Sequence, residues 1–519
     1  MPSTAAVRWF EWSEEAFRKA QAEDKPVVLD LIAPWSHGCR VMDAETYGDA
    51  GIAEALNRDY VPVRVDCDRR PDINDRYNLG GWPTTAFLTP TAELLGGATY
   101  VDRDQMKQLL VQLKVGYTAN RHRIAEEIAR RDEKIREALE PQFSGVAQIT
   151  MEIFRKTLRG ILASHDPLHG GFGKAPKFPL VPSLRVVLQA VHETQGPDLR
   201  HVLVKTLDAM ADRGLYDHEQ GGFFHYVTND TWTMARFEKL GEDNAGLIRL
   251  YLDASIVTGE DKYRSKALHA LDWAKARLLD PGRGVFFGSQ AADDDYYGAA
   301  SQDRAKREPP AVDRTIFIPA SAAMASTFLR AAQVTGDESL ASIALRGLEW
   351  LLRDCVRDGA VAHYHDGEPR LFVLSRDPIA LGSALLDAYD HGGDRKLLDA
   401  AETMTEDLLR RFWSDAEKGI VDRAVDAIDR GDLAKLRKNM SENALAAENF
   451  ARLWRITGAE RHKRCAEKIL LSYPDFEDSY GHPTAEYALA ADWLVRPPED
   501  VAPGPEALRP FVPRRKVKR

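Results

Sequence analysis

The sequence predicts a two-part molecule, in which an α/β domain is followed by a larger domain built almost entirely of helices. Three observations support this prediction. The 519 residues exceed what a single hydrophobic core usually serves. Short apolar runs alternate with helical patterns over the first 115 residues, as in α/β layer structures. From about residue 149 to 494 the apolar spacing is nearly all helical, and one type of loop recurs.

Composition and charge narrow the class of protein. Hydrophobic residues make up 44% of the chain and charged residues 29%, which are ordinary globular values. The formal net charge of -10 argues against a nucleic-acid or anionic-membrane partner. No apolar run is long enough to span a bilayer, and the 4 cysteines are too far apart to suggest a disulfide scaffold or a zinc ribbon. We expect a soluble cytoplasmic protein with no metal and no cofactor.

Three apolar runs in the first part of the chain are predicted to be strands. They lie at Val27–Ile32, 60–66 and Thr84–Leu88. One helical pattern covers 40–56, between the first two strands, and another covers 102–113, after the third. Strands that are separated by helices are typical of an α/β layer structure.

Three sequence blocks in this domain resemble a known family. They read S-H-G-C-R-V-M-D-A-E-T at 36–46, V-R-V-D-C-D-R-R-P-D-I-N at 63–74 and G-G-W-P-T at 80–84. The chain resembles the spermatogenesis-associated, thioredoxin-domain-containing family, which carries C-H-W-C-H-V-M, V-D-R-E-x-R-P-D-I-D and G-G-W-P in the same order. The resemblance implies a thioredoxin-like fold, in which Pro83 is the cis-proline and faces the turn at 36–39.

The redox centre of that family is incomplete in this chain. Ser36 stands where the attacking cysteine would be, and Cys39 stands at the second position. A serine hydroxyl cannot replace a thiolate in dithiol exchange, because it keeps its proton near neutral pH. We therefore predict that Ser36 and Pro83 are remnants of a redox site, with Ser36 capping a helix and Cys39 packed in the core. The alternative is a catalytic monothiol, with the Cys39 thiolate favoured by a helix N-terminus.

A charged stretch joins the two parts of the chain. Its helical spacing and many i,i+4 charge pairs predict a solvated helix that ends at a boundary near 141–145. The predicted domains are a thioredoxin-like domain at 1–115, a connecting helix and linker at 116–145, a helical barrel at 146–497 and a basic flexible tail at 498–519.

Loops of one type punctuate the helical part, and each begins with an aspartate. They recur every roughly 50 to 80 residues, which leaves room for two helices in each unit. The loops begin at Asp166, Asp217, Asp280, Asp358, Asp415 and Asp478. Single hairpins cannot bury their apolar faces alone, whereas six of them closed into a ring can. The sequence therefore predicts an all-α (α/α)6 toroid, with ends of its inner helices at the rim that carries these loops.

The family resemblance extends into the helical part. Matching blocks read G-G-F-G-K-A-P-K-F-P at 170–179, G-L-Y-D-H-E-Q-G-G-F-F-H-Y at 214–226 and R-F-E-K-L-G-E-D-N-A at 236–245. The resemblance implies a six-hairpin barrel that is similar to glycoside hydrolases and sugar epimerases. The family's Pro-His, W-N-G and D-D-Y are replaced around 235–236, 318–321 and 375–378, which indicates a divergent member.

Candidate site residues lie in and around these blocks. Sugar chemistry uses one carboxyl group that holds a proton and one that does not, and the candidate acids are Glu238, Asp243 and Asp217. The candidate ligand-binding side chains are His225, Trp232, Phe178 and Tyr226. We predict that the three acids border one cavity at the loop-bearing rim, with the loop 290–313 as a lid. The alternative is structural: Asp217 orders its turn, and Glu238 pairs with Lys239.

Three functions are compatible with these patterns. The first is a carbohydrate-active hydrolase or isomerase that carries a thioredoxin-like accessory domain. The second is a redox protein that acts through Cys39 alone. The third is a scaffold or ligand-binding protein without catalysis. The expected partner is a small polar or sugar-like molecule, and the thioredoxin-like domain could in addition bind a protein.

Overall fold

A computed structural model of the chain describes residues 6–139, 148–476 and 479–496. It divides into two compact units. Unit 1 contains Met1–Phe143 and Val425–Arg437, and unit 2 contains Ser144–Ala424 and Lys438–Arg519. The predicted linker after residue 139 and the predicted basic tail lie outside the described residues.

Unit 1 is built on a four-stranded sheet with the order β2-β1-β3-β4. The central strand β1 pairs with β2 in parallel and with β3 antiparallel, and β4 pairs antiparallel with β3. Its strands are β1 (Val27–Ile32), β2 (Val61–Asp66), β3 (Thr84–Leu88) and β4 (Leu94–Ala98). Its helices are α1 (Glu14–Glu23), α2 (His37–Met42), α3 (Ala50–Asp59), α4 (Pro71–Tyr77) and α5 (Arg103–Leu139).

Three details of unit 1 differ from the sequence prediction. The strand β4 has no predicted counterpart, because two glycines in Leu94–Ala98 weaken its strand signal. The helical pattern at 40–56 is interrupted by a π-helical turn at Asp43–Tyr47, and α3 restarts where Asp49 accepts a hydrogen bond from the Ile52 amide. The helices expected at 102–113 and 116–140 form one continuous helix, α5.

Unit 2 is a closed ring of helical hairpins, as the sequence predicts. Each inner helix packs against the next, and the last packs against the first. The inner helices are α7 (Val181–Thr194), α9 (Gly241–Thr258), α13 (Ile318–Thr335), α15 (Arg376–Gly392), α17 (Met440–Thr457) and α19 (Ala485–Val495). The outer helices are α6 (Met151–Ala163), α8 (Pro197–Asp212), α10 (Asp261–Arg277), α14 (Glu338–Asp354), α16 (Arg395–Phe412) and α18 (Glu460–Leu470).

The two rings of helices differ in how they are buried. The inner helix α13 is buried over most of its length and is rich in small residues, which suits a helix surrounded by other helices. The outer helix α18 buries only four side chains along one stripe and leaves its charged residues outside. The difference in burial agrees with the order of the helices, which alternate along the chain between the outer and the inner ring.

Long connections precede the inner helices, so the N-termini of these helices stand at the loop-bearing rim. Five of the six predicted aspartate-initiated loops belong to these connections, and Asp478, at the start of the sixth, lies outside the described residues. The same connections contain two short helices, α11 (Asp294–Tyr297) and α12 (Ser301–Arg304). They also contain two-residue strands at Tyr226–Val227, Ala235–Arg236, Lys239–Leu240, Leu279–Asp280, Val285–Phe286, Ser289–Gln290, Val312–Asp313, Ile316–Phe317, Val356–Arg357, Ala360–Val361, Tyr364–His365, Pro369–Arg370, Trp413–Ser414 and Gly419–Ile420.

Across the part of the chain that the structure describes, no helix combines the length and the apolar content needed to cross a bilayer.

Candidate functional site

The first turns of four inner helices bring charged side chains to the loop-bearing rim of unit 2. They come from α9, α15, α17 and α19, and we call this group the mouth: Glu242, Asp243, Arg376, Glu442 and Glu486. The positive end of each helix dipole lies at these first turns and favours negative charge there. The mouth thus joins residues that are more than 200 positions apart in the sequence.

A histidine–carboxylate pair stands at the start of α9. The Nδ1 atom of His225 lies 2.6 Å from Oδ2 of Asp243. The backbone amide of His225 donates to the carbonyl of Glu238 at 2.9 Å, which fixes the position of the imidazole. Both side chains remain partly accessible, His225 at 19% and Asp243 at 32%. Two residues that the sequence singles out therefore form one polar pair that a ligand can reach.

An aromatic platform adjoins this pair. The rings of Phe178 and Tyr226 stack with their centroids 4.7 Å apart, and the edge of Phe178 also meets the imidazole of His225. Phe178 is 40% exposed, and Tyr226 is half-buried. Stacked, partly accessible aromatic rings beside polar groups suit a ligand with one apolar and one polar face.

Glu242 lies in a recess at the mouth. Its side chain is accessible, yet protein surrounds it closely enough for desolvation to raise its pKa. The neighbouring carboxylates Asp243 and Glu486 also raise the pKa, while Arg376 and His363 oppose them. Glu242 therefore keeps its proton to a higher pH than an ordinary glutamate does.

The opposite side of the mouth is held by polar bonds between α15 and α17. Nε of Arg376 lies 3.3 Å from Oε1 of Glu442, and the Ser375 hydroxyl donates to Oε2 of the same carboxylate at 3.0 Å. Close by, Nδ1 of His363 lies 2.7 Å from Oδ1 of Asp377. These residues were not predicted as site residues. Ser375, Arg376, Asp377 and Glu442 stand in the first turn of an inner helix or just before it, whereas His363 lies in the connection that precedes α15.

Below the mouth, ion pairs cross the lumen of the toroid. Arg249 on α9 pairs with Asp387 on α15, although these helices are not neighbours in the ring, and Arg452 on α17 pairs with the same carboxylate at 2.6 Å. Arg185 on α7 likewise reaches Glu448 on α17. Burial opposes ionisation of Asp387, but the two arginines hold its pKa well below its usual range. The lumen is therefore polar and charged well below its rim.

Asp217 does not border the mouth, contrary to the prediction. It is 2% exposed, and its carboxylate is bonded to Nζ of Lys239 at 2.6 Å and to Nη1 of Arg304 at 3.0 Å. It also accepts the backbone amides of Glu219 and Gln220, so it orders its own turn. Burial opposes its ionisation, but the two cations keep its pKa lowered. Asp217 therefore orders its turn, as the structural alternative predicts.

The partner of Lys239 is Asp217 and not Glu238, which corrects the predicted pairing. The ammonium group of Lys239 also donates to the carbonyl of Gly221 at 2.7 Å. The same arrangement of a buried lysine, an aspartate and a glycine carbonyl occurs one hairpin earlier. There the ammonium group of Lys177 pairs with Asp166 at 2.5 Å and donates to the Gly170 carbonyl at 2.9 Å. The aspartate loops that begin at Asp166 and Asp217 are thus held by the same kind of buried ion pair.

Trp232 and Glu238 are also buried rather than presented to a ligand. Trp232 is fully buried, and its indole Nε1 donates to the Gly170 carbonyl at 3.0 Å, so it cannot stack on a sugar. Glu238 is 5% exposed and contributes its carbonyl to the placement of His225. Of the predicted site residues in unit 2, Asp243, His225, Phe178 and Tyr226 remain together at the mouth.

The loop 290–313 lies on the same rim as Asp217 and Glu238. Its ends at Ser289–Gln290 and Val312–Asp313 form a small sheet with Lys239–Leu240, the segment that leads into α9. Arg304 reaches from the middle of the loop to Asp217. The loop therefore covers the Asp217–Lys239 pair, and its closure over the mouth stays a prediction.

The turn at 36–39 in unit 1 shows what is left of the redox centre. Cys39 is 5% exposed, its Sγ accepts the Ala33 amide at 3.4 Å, and burial raises its pKa to about 11. Ser36 occupies the N-cap position of α2, but its hydroxyl makes no capping bond, which corrects that expectation. The Trp82–Pro83 bond is cis, as predicted, and Pro83 faces the turn beside Gly38. A buried, protonated Cys39 argues against the monothiol alternative.

Asp66, Cys67 and Asp68 form a further cluster in unit 1. In the described ranges this is the one group of three potential metal ligands whose donor atoms lie within 4.8 Å of one another. Burial raises the pKa of the Cys67 thiol well above its usual value, and Asp66 Oδ1 accepts the Asp68 amide at 2.9 Å. The bond between the Asp68 amide and the Asp66 carboxylate holds the turn that follows β2.

Comparison with known proteins finds relatives of both parts of the chain. The family model Thioredox_DsbH, described as a protein of unknown function (DUF255), matches residues 2–140. The uncharacterized protein B0495.5 of Caenorhabditis elegans is 30% identical over 305 residues, which cover 55% of this chain and 41% of that protein. Spermatogenesis-associated protein 20 of Homo sapiens is 29% identical over 313 residues, which cover 55% and 39%. The match thus spans about two fifths of these relatives' length.

Solved structures support the architecture of unit 2. Cellobiose 2-epimerase from Spirochaeta thermophila aligns with a TM-score of 0.53 at 15% identity, covering 67% of this chain and 95% of that one. A D-mannose isomerase aligns with a TM-score of 0.52 at 12% identity, covering 68% and 98%. At such identities the likeness concerns the fold. Together with the matched sequence blocks, these comparisons show that the chain resembles the spermatogenesis-associated, thioredoxin-domain-containing family and combines a thioredoxin-like domain with a six-hairpin toroid.

Proposed function

We propose that unit 2 binds a sugar or a closely related polyol at the mouth and transfers a proton on it through the His225–Asp243 pair. The observation that carries the proposal is the 2.6 Å contact between these side chains at the N-terminus of an inner helix. Both are partly accessible, and the platform of Phe178 and Tyr226 adjoins them.

The pair has the arrangement that proton abstraction needs. A carboxylate that accepts the Nδ1 proton fixes the tautomer of the imidazole and makes Nε2 the basic nitrogen. In an open-chain sugar, Nε2 of His225 would take the proton from the carbon next to the carbonyl. The C–H electron pair would then move into an enediol, while Glu242, whose pKa is raised, gives its proton to the carbonyl oxygen.

The surroundings suit a sugar better than an apolar ligand. One face of a pyranose ring is apolar and can lie on the Phe178–Tyr226 platform, and its hydroxyl groups can bond to the charged groups around the mouth. The ion pairs of Arg249 and Arg185 extend this polar lining into the lumen. Cellobiose 2-epimerase and D-mannose isomerase, whose toroids resemble unit 2, are named for reactions on sugars, which supports the choice of ligand class.

Deuterium exchange tests the proposal directly. The full-length protein is incubated in deuterated buffer with a panel of reducing mono- and disaccharides, and nuclear magnetic resonance follows loss of the proton beside the carbonyl carbon. We expect enzyme-dependent exchange with at least one sugar. Asp243→Asn and His225→Gln should slow it by about 100-fold or more, the usual contribution of a positioned acid–base group.

A matched pair elsewhere in unit 2 supplies the control. His391 near the end of α15 contacts Glu338 at 3.1 Å, so it is also a histidine–carboxylate pair but lies at the other end of an inner helix. His391→Gln should leave the exchange rate unchanged. Sugar binding without exchange would reduce the function to ligand binding. If no sugar of the panel binds, the proposal is wrong.

A further inference from the structure

A short segment from the helical part of the sequence completes the core of unit 1. Residues 425–437, which lie between α16 and α17 in the chain, pack with the thioredoxin-like domain. Leu433 is fully buried in the same core cluster as Trp12, Phe17 and Tyr77, and Ile428 packs against that cluster. The segment is therefore part of the folded unit and not a surface loop.

Polar bonds fix the segment on the edge of the sheet. Oδ2 of Asp432 accepts the amide of Leu94 in the edge strand β4 at 3.1 Å, and Oδ1 of Asp432 lies 3.4 Å from Nη2 of Arg131 on α5. The edge strand, which would otherwise offer unpaired amides, is thus capped by a carboxylate.

Two further contacts make the fit specific. Arg76 on α4 is buried, and its guanidinium donates to the carbonyls of Asp432 at 3.1 Å and Lys435 at 2.7 Å. Gly431 has a φ of +54°, and a Cβ at this position would lie 2.2 Å from the carbonyl oxygen of Ala92. Backbone in contact with backbone requires glycine here.

Both ends of the segment continue directly into residues that hold the mouth. Before it, the Ala424 amide donates to the Val373 carbonyl at 2.8 Å, and the Ser375 amide donates to the Asp422 carbonyl at 3.0 Å. After it, Asn439 caps α17 by accepting the Glu442 amide, and the Ser375 hydroxyl bonds to the Glu442 carboxylate. The segment thus begins and ends within a few residues of one side of the mouth.

We propose that the thioredoxin-like unit acts as a positioning element for the mouth, because it holds residues 425–437 and thereby restrains Ser375 and Glu442. A loop whose middle is fixed leaves fewer conformations to the residues at its two ends. This role requires a folded thioredoxin-like sheet but no thiol, so it is compatible with the loss of the first cysteine at position 36. It goes beyond the proposed sugar chemistry, and its test needs no sugar.

The test is amide hydrogen–deuterium exchange, measured by mass spectrometry on the full-length protein. Leu433→Ala removes the buried anchor of the segment. We expect peptides that cover 371–377 and 438–446 to exchange at least about tenfold faster than in the wild type, although these residues lie outside unit 1. Arg76→Gln, which removes the guanidinium bonds to the segment and keeps the Leu433 anchor, should act in the same direction and serves if Leu433→Ala does not fold.

The matched control is Leu56→Ala. Leu56 on α3 is also fully buried in unit 1, but it belongs to a core cluster that the segment does not enter. Under conditions in which β1 and β3 stay protected, Leu56→Ala should leave the exchange of 371–377 and 438–446 at the wild-type rate. The proposal is wrong if Leu433→Ala and Arg76→Gln speed exchange in 425–437 alone. It is equally wrong if Leu56→Ala affects the mouth as strongly.

Discussion

The buried carboxyl group of Asp30 gives unit 1 a pH dependence whose size follows from the structure. Asp30 lies in the middle of β1, is fully buried, and accepts a hydrogen bond from Nε of Arg64 at 2.8 Å. Burial raises its pKa from 3.8 to about 7, against the opposing attraction of Arg64. A raised carboxyl pKa means that the folded state keeps a proton that the unfolded state has already lost.

The sign and magnitude follow from linkage. Between the unfolded pKa of 3.8 and the folded pKa of about 7, the folded state binds more protons, so stability falls as pH rises. Each pH unit inside this window costs about 1.4 kcal/mol, and the loss stops above the folded pKa. From pH 5 to pH 8 the free energy of unfolding should therefore decrease by about 3 kcal/mol through this one group.

Asp30→Asn removes the titration and keeps an oxygen that can accept from Arg64. We expect the variant to lack this decrease, so that it gains about 3 kcal/mol over the wild type between pH 5 and pH 8. Urea unfolding of the full chain, read by hydrogen exchange in peptides from β1 and β3, isolates unit 1. Asp104→Asn, at an 81% exposed carboxylate in the same unit, is the control and should follow the wild type. Parallel pH profiles for Asp30→Asn and the wild type would show that Asp30 is ionised in the folded protein, and the reasoning would fail.

Three further predictions concern other parts of the molecule. The wild type should not catalyse insulin reduction by a thiol reductant, because the attacking cysteine is absent and Cys39 has a pKa of about 11. Ser36→Cys restores the second thiol and should gain measurable activity. Activity of the wild type that Cys39→Ser abolishes would contradict this. Gly431→Ala should destabilise the docked segment by more than about 1 kcal/mol, since its Cβ would overlap the Ala92 carbonyl, and Gly116→Ala in α5, where a Cβ meets open space, should instead stabilise the chain slightly. Exchange in 425–437 and thermal unfolding distinguish the two. Asp387→Asn should destabilise unit 2 by about 3 kcal/mol, because Arg249 and Arg452 lose their shared counter-charge; urea unfolding measures this, and an unchanged midpoint would show that the ion pairs contribute nothing.

Elements whose signal is local were predictable from the sequence. The strands at Val27–Ile32 and Thr84–Leu88 follow from continuous apolar runs, and the closed ring follows from helical spacing with a recurring loop. The Asp217–Lys239 pair was missed for a related reason. Neighbouring side chains in an extended segment point to opposite faces, which disfavours the predicted pair of Glu238 and Lys239, and no local pattern marks Asp217, 22 residues earlier, as the partner of Lys239.

Features made by distant residues were not predictable. Glu242 and Glu486 share the mouth because the ring closes, although 244 positions separate them in the chain (486 minus 242). The sequence prediction includes residues 425–437 in the barrel at 146–497, because nothing in the pattern of their apolar residues, Val425, Ile428, Leu433 and Leu436, points to unit 1. Their place in unit 1 depends on contacts such as that between Leu94 and Asp432, 338 residues apart.

The redox centre of unit 1 and its docking of residues 425–437 can be lost or kept independently, because they depend on different residues. The remnant of the redox centre depends on Ser36, Cys39 and Pro83, at the end of β1 and the start of β3. The docked segment depends on the edge strand β4 and on α4, through Leu94 and Arg76. A single substitution at position 36 removes dithiol chemistry and leaves every contact of Asp432 and Leu433 in place. A positioning role requires the folded core of unit 1 but no thiol at position 36. The chain has this combination, since a complete thioredoxin-like core accompanies Ser36.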